Sequence, residues 1–290
     1  MKRKIAFIVN PNAGTRGKEN IIDTLRARIP SNINFEVINW NNKHSFNEIK
    51  NLLLKNDYTD LVAVGGDGTV NEVAKVAMEK NVPLGILPHG SGNGLARSLG
   101  IPMKLEKALD VIVNGNIRSI DGGLINKKFF FCTSGVGFDA HIGFLFASLK
   151  NRGLWGYVRT TLKELFKYKA SEYRLTMNGS TFTREAFLIT FANAGQYGND
   201  FYIAPEADLN DGMLHVAIFK PFMLLSSPLI FLRFIFRKAH TSRFIETFVT
   251  DKLLLRRVEK GPIHYDGEPG EAGFDLEIES IKNAILVITP

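Results

Sequence analysis

The sequence predicts a two-part α/β protein, with a Rossmann-like parallel α/β domain over residues 1–124 and a β-rich sandwich over 125–290. Three observations predict it. Strand-like apolar runs alternate with helix-period segments through the first 120 or so residues. Short strands divided by turn residues dominate after about residue 125. The turns after the first, third and fourth strands are rich in glycine and asparagine, and in parallel sheets such turns hold ligands.

The elements follow in order. KIAFIV (4–9) is a buried strand, and a helix with apolar Ile21, Ile22, Leu25 and Ile29 comes next. FEVINW (35–40) is the second strand. Ser45 and Glu48 have capping-box spacing and start the helix that carries Ile49, Leu52 and Leu53. LVAVGG (61–66) is the third strand, followed by a helix from Val70 to about Lys80. PLGILP (83–88) is the fourth, followed by helices near 92–98 and 104–114. The β-rich part reads as strands at 129–134, 172–177, 185–193, 213–219, 246–256, 274–279 and 284–289. The last strand is free to pack back on the first domain. An insertion at 139–170 is aromatic and basic, with Phe144, Phe146, Trp155, Tyr157, Lys163 and Lys167.

The 290 residues suit two compact domains, and 45% hydrophobic with 22% charged residues is ordinary globular material. A single cysteine, Cys132, rules out an intramolecular disulfide, and its apolar setting predicts a buried, inert thiol. The opening MKRKIAFIVN has too short an apolar run for a signal peptide. The longest apolar stretch, 222–232, is broken by two serines and a proline, so no transmembrane segment is expected. The net charge of +7 suits phosphorylated ligands or anionic lipid; it is the only argument for nucleic acid, which is not expected as a partner.

VAVGGDGTVNEV (62–73) carries the chemistry. A buried strand runs through Gly65-Gly66-Asp67-Gly68 into a helix, with Thr69 and Glu72 at capping-box spacing and Thr69 as the expected cap. Glycines admit a ligand to the backbone, and a helix N-terminus offers unpaired N–H groups and a positive dipole end. Asp67 inside such an anion site is repulsive without a cation, so it implies Mg²⁺ bridging to phosphates, directly or through water. PNAGTRGK (11–18) nearly spells a P-loop, but Asn12 and Glu19 break the pattern; what remains is a Gly/Asn turn with Lys18 available to phosphate. PHGSGNGLA (88–96) is a third small-residue turn opening a helix. Gly135, Gly137 and Ala140 match a dinucleotide fingerprint, but no acidic residue follows at the needed strand end, and that reading is rejected.

GGDGTVNEV, with NPNAG upstream, GSGNGLA downstream and a late YDGE (265–268), resembles the diacylglycerol kinase catalytic-domain family, which includes bacterial diacylglycerol and phosphatidylglycerol kinases and sphingosine and ceramide kinases. The resemblance runs in order over nearly the whole chain. It implies two domains with ATP in the cleft between them and a lipid hydroxyl attacking the γ-phosphate. It implies that Asn10, Pro11, Asn12, Ala13 and Gly14 hold nucleotide together with Gly66, Asp67, Gly68, Thr69, Val70 and Asn71, with Ser91 beside the phosphates. Glu268 would accept the proton of the lipid hydroxyl. Asp211, with the carbonyls of Asp208 and Met213, would bind a structural Mg²⁺ or Ca²⁺; an Asn-Asp-Gly hairpin without metal is the alternative. One departure stands out. Bacterial diacylglycerol kinases carry an aspartate where this chain has Gly94, leaving Asp67 and Asp121 for the carboxylate network, and GSGN is nearer the sphingosine and ceramide kinase pattern. A family threonine near the second strand's end is replaced by Asn42 or a neighbour.

The expectation is therefore an ATP- and Mg²⁺-dependent lipid kinase acting on a glycerolipid such as diacylglycerol, with a sphingoid base or ceramide as the alternative acceptor. A non-catalytic lipid- or nucleotide-binding protein is the rival of another class. The protein is expected in the cytoplasm, at the inner face of the membrane, held by the basic and apolar segments 139–170 and 221–238. The oligomeric state is open, a homodimer being one option.

Overall fold

A computed structural model describes residues 2–10, 19–40, 46–148, 154–222, 232–238 and 241–290. Its elements run β1 (Lys4–Val9), α1 (Glu19–Arg28), β2 (Asn34–Asn39), α2 (Phe46–Lys55), β3 (Asp60–Gly65), α3 (Asp67–Lys80), β4 (Leu84–Pro88), α4 (Gly94–Ser98) and α5 (Leu105–Asn114). Then come β5 (Asn116–Ile125), β6 (Lys128–Phe130), β7 (Thr133–Gly137), α6 (Phe138–Ser148), α7 (Leu154–Leu165), β8 (Ser171–Met177), β9 (Ser180–Ala186) and β10 (Leu188–Ala192). The chain closes with β11 (Leu214–Phe219), β12 (Ile245–Thr250), β13 (Lys252–Arg257), β14 (Gly261–Tyr265), β15 (Glu268–Ala272) and β16 (Asp275–Thr289). Two compact units result, one of residues 1–120 with 283–290, the other of residues 121–282.

In the first unit β1 pairs in parallel with β2 on one side and β3 on the other, and β4 follows β3. All six residues of β3 are buried, as are Ile5 to Val9 of β1, because helices cover such a sheet on both faces. Helix α3 buries Val70, Val73, Ala74, Val76 and Ala77 and ends in a left-handed Asn81 whose N–H returns to Ala77 and Met78. Phe7 is fully buried; Phe7→Ala would leave a cavity costing about 3–5 kcal/mol. The connection from β1 to β2 and that from β2 to β3 lead to opposite sides of β1, so the strand order reverses between β1 and β3. Open α/β sheets bind ligands at the carboxyl ends of strands flanking such a reversal.

In the second unit β12, β11, β10, β7, β14 and β15 form a six-stranded sheet, and β13 lies between β16 and β8, with β9 beyond. Alternating residues of both layers, among them Leu175, Phe191, Val216, Leu253, Ile263 and Leu276, interdigitate in one apolar core. This is the sandwich the sequence predicts, with differences in detail. The run 129–134 is broken by a bend at 131–132. The segments 185–193 and 246–256 each contain two strands that lie in different sheets. The two runs at 274–279 and 284–289 are one strand. Hydrophobic period cannot show where a strand changes sheets, because both halves bury alternate residues. The insertion 139–170 forms α6 and α7. Cys132 is buried.

Candidate active site

The glycine turns after β3 and β4 meet at the carboxyl ends of those strands, beside Asn10 at the end of β1. The Asn10 N–H bonds the Val64 carbonyl at 3.2 Å, and the Asn10 amide donates to Thr69 Oγ1 at 3.0 Å. Helix α3 starts earlier than the sequence suggests. Gly66, extended at φ −92°, is its N-cap, Asp67 is its first residue, and no side chain caps it. Thr69 is therefore not the cap but lies inside the first turn, buried, with its hydroxyl taken by Asn10. A Cβ on Gly90 would stand 2.4 Å from the Gly66 Cα, so the two turns touch backbone to backbone only because both residues are glycine.

Asp67 joins the second and third turns. Its carboxylate accepts the N–H of Asn93 at 2.9 Å and of Gly94 at 2.7 Å. Asn93 closes its own turn: its Oδ1 accepts from the Gly90 N–H and its amide donates to the Gly90 carbonyl. A carboxylate offers about four acceptor sites on two oxygens, a chemistry that suits a hydrated Mg²⁺. Gly68, Val70 and Asn71 lie in the same first turns of α3, and Ser91 is exposed on the neighbouring turn. Pro11, Asn12, Ala13, Gly14, Lys18, Asn42 and Ser45 lie outside the described residues.

Glu268 lies in the second unit, exposed, as the first residue of β15. It pairs with Tyr265 across a two-residue turn in which Asp266 has φ 50° and Gly267 φ 81°. Both central residues are left-handed, the signature of a type I′ hairpin. Asp266 does more than turn the chain, since its carboxylate accepts the N–H groups of Phe131, Cys132 and Thr133.

In the 204–214 segment, Asp208 accepts from the Asn210 N–H and Asp211 from the Met213 N–H, while buried Asp121 accepts from Gly212 N–H at 2.6 Å. His215 Nε2 is 3.7 Å from the second Asp211 oxygen. Among the described residues no group of three His, Cys, Asp or Glu gathers as a metal nest. A cation here would thus rely on Asp211 and backbone carbonyls such as those of Asp208 and Met213, an all-oxygen set that a hard cation accepts.

Two buried clusters had no signal in the sequence. Arg257 is 8% exposed and donates to the carbonyls of Gly261, Pro262, Ala272 and Gly273, the open end of the Glu268 hairpin. Burial lowers its pKa, and the neighbouring Tyr173 and Tyr168 act against that. Both tyrosines are themselves pushed up, first by burial. Beside them a pocket of about 600 Å³ is lined by His141, Glu164, Lys167 and Arg257, too charged for an acyl chain but suited to a polar group. The second cluster is Asp139, which accepts from His264 Nε2 at 3.0 Å and from the Tyr197 hydroxyl at 2.9 Å. It explains Gly135, whose Cβ would stand 2.8 Å from His264 Nε2. The rejected dinucleotide fingerprint is thus a packing requirement.

A glycine-lined turn thus lies at the switch point of a parallel sheet, and an exposed hairpin carboxylate belongs to the sandwich unit that follows. Residues 4–125 match the family model of the diacylglycerol kinase catalytic domain, and residues 133–287 match that of the YegS C-terminal NAD kinase beta sandwich-like domain. The chain belongs to the diacylglycerol kinase catalytic-domain family. It is 32% identical over 232 residues to a protein of Yersinia enterocolitica named "Probable lipid kinase YegS-like", covering 78% of this chain and 77% of that one. It is 35% identical over 173 residues to a diacylglycerol kinase of Mycobacterium tuberculosis, 55% of each chain. A crystal structure described as a diacylglycerol kinase from Bacillus anthracis shares the fold, with a TM-score of 0.74 at 18% identity over 99% of this chain and 97% of that one. The chain spans about half the length of the first curated relatives it matches, 52% to 55%.

Proposed function

We propose that the protein transfers the γ-phosphate of ATP to the hydroxyl of a membrane lipid, a glycerolipid such as diacylglycerol. The observation that carries this is the junction of Gly66, Gly90 and Asp67, where two glycine turns meet at an uncapped helix N-terminus. The backbone N–H groups and helix dipole there suit phosphate oxygens. When bound, Mg²⁺ neutralises charge on the phosphates, and Asp67 is the carboxylate that would hold it through water. Asn10 fixes Thr69, and Pro11, Asn12, Ala13 and Gly14 would hold the nucleotide with it. The first unit, residues 1–120 with 283–290, is the nucleotide-binding part in this reading, and residues 121–282 carry the lipid.

In the transfer step the lipid oxygen attacks the γ-phosphorus, the bond from that phosphorus to the bridging oxygen breaks, and ADP leaves. Glu268 takes the hydroxyl proton. Asp211 with the carbonyls of Asp208 and Met213 would hold a second, structural cation. The protein would work at the inner face of the cytoplasmic membrane. Leu162, Phe166, Ile235 and Phe236 are exposed apolar side chains beside Lys163, Lys167, Arg237 and Lys238, a composition that suits an anionic interface. No described helix is long and apolar enough to cross a membrane; residues 223–231 of the apolar stretch lie outside the described residues.

Gly94 favours one second reading, a sphingoid base or ceramide as acceptor. The deciding experiment is labelled-ATP transfer in mixed micelles to diacylglycerol, sphingosine and ceramide, with soluble alcohols alongside. Transfer to diacylglycerol is expected. A kcat/KM tenfold or more in favour of a sphingoid lipid, about 1.4 kcal/mol of discrimination, would replace the glycerolipid. Transfer to no lipid would sink the kinase reading.

A further inference from the structure

We propose that Asp266 is a positioning residue for Glu268, locking the tip of the β14–β15 hairpin to the bend at Phe131–Thr133. The inference rests on the reading of Glu268 as proton acceptor. The turn itself does not need a carboxylate, since Asp-Gly and Asn-Gly both satisfy a type I′ hairpin. The carboxylate is spent elsewhere. Its Oδ2 accepts the Phe131 N–H at 2.8 Å, and its Oδ1 accepts those of Cys132 at 2.8 Å and Thr133 at 3.2 Å. The Asp266 N–H in turn donates to the Thr133 carbonyl at 2.8 Å. Hydrogen bonds to an ionised acceptor are about twice as strong as neutral ones, so four bonds hold one turn residue firmly.

The anchor is itself fixed. The Cys132 carbonyl accepts the N–H groups of Asn193 and Ala194, both at 2.9 Å. The fully buried Asn193 amide donates to the carbonyls of Phe131 and Asp121 at 2.8 and 2.9 Å. Asp266 thereby ties an exposed hairpin tip to the interior of the sandwich. Glu268 is two residues further on, and hairpin tips are otherwise among the more mobile parts of a fold. A reacting group misplaced by about 1 Å can cost 10²-fold in rate. Arg257 holds the opposite end of the same hairpin, away from Glu268, and that end sets stability rather than the placement of the tip.

The test compares Asp266→Asn, Glu268→Gln and the double variant by steady-state lipid phosphorylation. Asp266→Asn keeps the turn and its left-handed backbone but loses the charge and turns an NH₂ group against the amides of 131–133. The expected result is a kcat lower by tenfold or more, a KM for ATP within twofold of wild type, and a double variant no slower than Glu268→Gln alone. Wild-type kcat in Asp266→Asn beside an inactive Glu268→Gln overturns the proposal and leaves the base assignment standing. So do losses that multiply in the double variant, because Asp266 would then act independently of Glu268. Wild-type turnover in Glu268→Gln removes the base assignment, and this proposal with it. Should thermal melts show Asp266→Asn unfolded, Asp266→Gly, which also accepts φ 50°, supplies the same comparison.

Discussion

The Asp67 carboxylate accepts the Gly94 N–H at 2.7 Å, so the acidic residue of one glycine turn holds the start of the helix that follows another. This bond makes the structural duty of Asp67 separable from the metal-holding one proposed for it. Asp67→Asn keeps one acceptor oxygen but sets an NH₂ group against one of the Asn93 and Gly94 amides, a loss of about 1–3 kcal/mol. Removal of the charge facing the phosphates is expected to lower the transfer rate by 10²-fold or more. Turnover and urea unfolding measured on the same preparation separate the two effects. Near-wild-type turnover would show that the carboxylate serves only the turn.

Gly90 is expected to tolerate no side chain. Gly90→Ala places a methyl carbon 2.4 Å from the Gly66 Cα and 2.9 Å from Asn93 Oδ1, and the Gly66 backbone cannot yield as the end of a flexible side chain would. The two turns must separate, so the KM for ATP should rise at least tenfold while the sandwich stays intact. Gly179→Ala, in open space at a hairpin with φ 73°, is the control for generic backbone strain. Equal ATP affinity in Gly90→Ala and wild type would exclude phosphate binding at this junction.

Arg257→Leu should be among the most destabilising substitutions in the second unit. It strands four carbonyl oxygens at the base of the hairpin, and each one left buried without a partner costs about 1–3 kcal/mol. Arg257→Lys, with three donors on one point, should recover part of the loss. Chemical denaturation reads both; a Leu variant as stable as wild type would mean that water replaces the guanidinium.

Glu246 gives the sandwich an acid limit. Burial works against its charge, yet hydrogen bonds from Lys220 and Arg184, each at 2.7 Å, outweigh it and hold the carboxyl below the ordinary value of 4.5. A carboxyl depressed in the folded state contributes stability above its unfolded pKa and loses it as pH falls through the folded one. The stability gap between wild type and Glu246→Gln should therefore be constant from pH 7 to about 5 and close at lower pH. A gap independent of pH would assign the effect to packing.

Membrane binding should depend on charge and on apolar contact together. Cosedimentation with anionic vesicles is expected to exceed that with neutral ones and to weaken with salt, since each basic side chain near an anionic leaflet contributes about 1 kcal/mol. Phe166→Ser and Phe236→Ser change residues that are 71% and 66% exposed and should weaken it further without altering stability. Equal, negligible binding to both vesicle types would remove the interface.

By itself the sequence determined the order of the α/β elements, the glycine turns after β3 and β4 and the character of the second half as β-rich. These are local properties: apolar period, strand-end glycines and helix starts are written within a dozen residues. Only the tertiary structure decided where the polar side chains are used. Asp67 reaches amides 26 and 27 positions away, and Asp266 reaches amides 133 to 135 positions away. Arg257, Asn193 and the Asp139–His264 pair read in the sequence as unremarkable surface or strand residues, yet each is buried or half-buried with its partners. Even Thr69, which has the spacing of a cap, lies inside the helix behind an extended Gly66, and Asn10, just past the end of β1, takes its hydroxyl. Hydrogen-bond partners distant in the chain leave no periodic trace, and the cost of burying a charge or an amide is met by whatever backbone the fold brings to it.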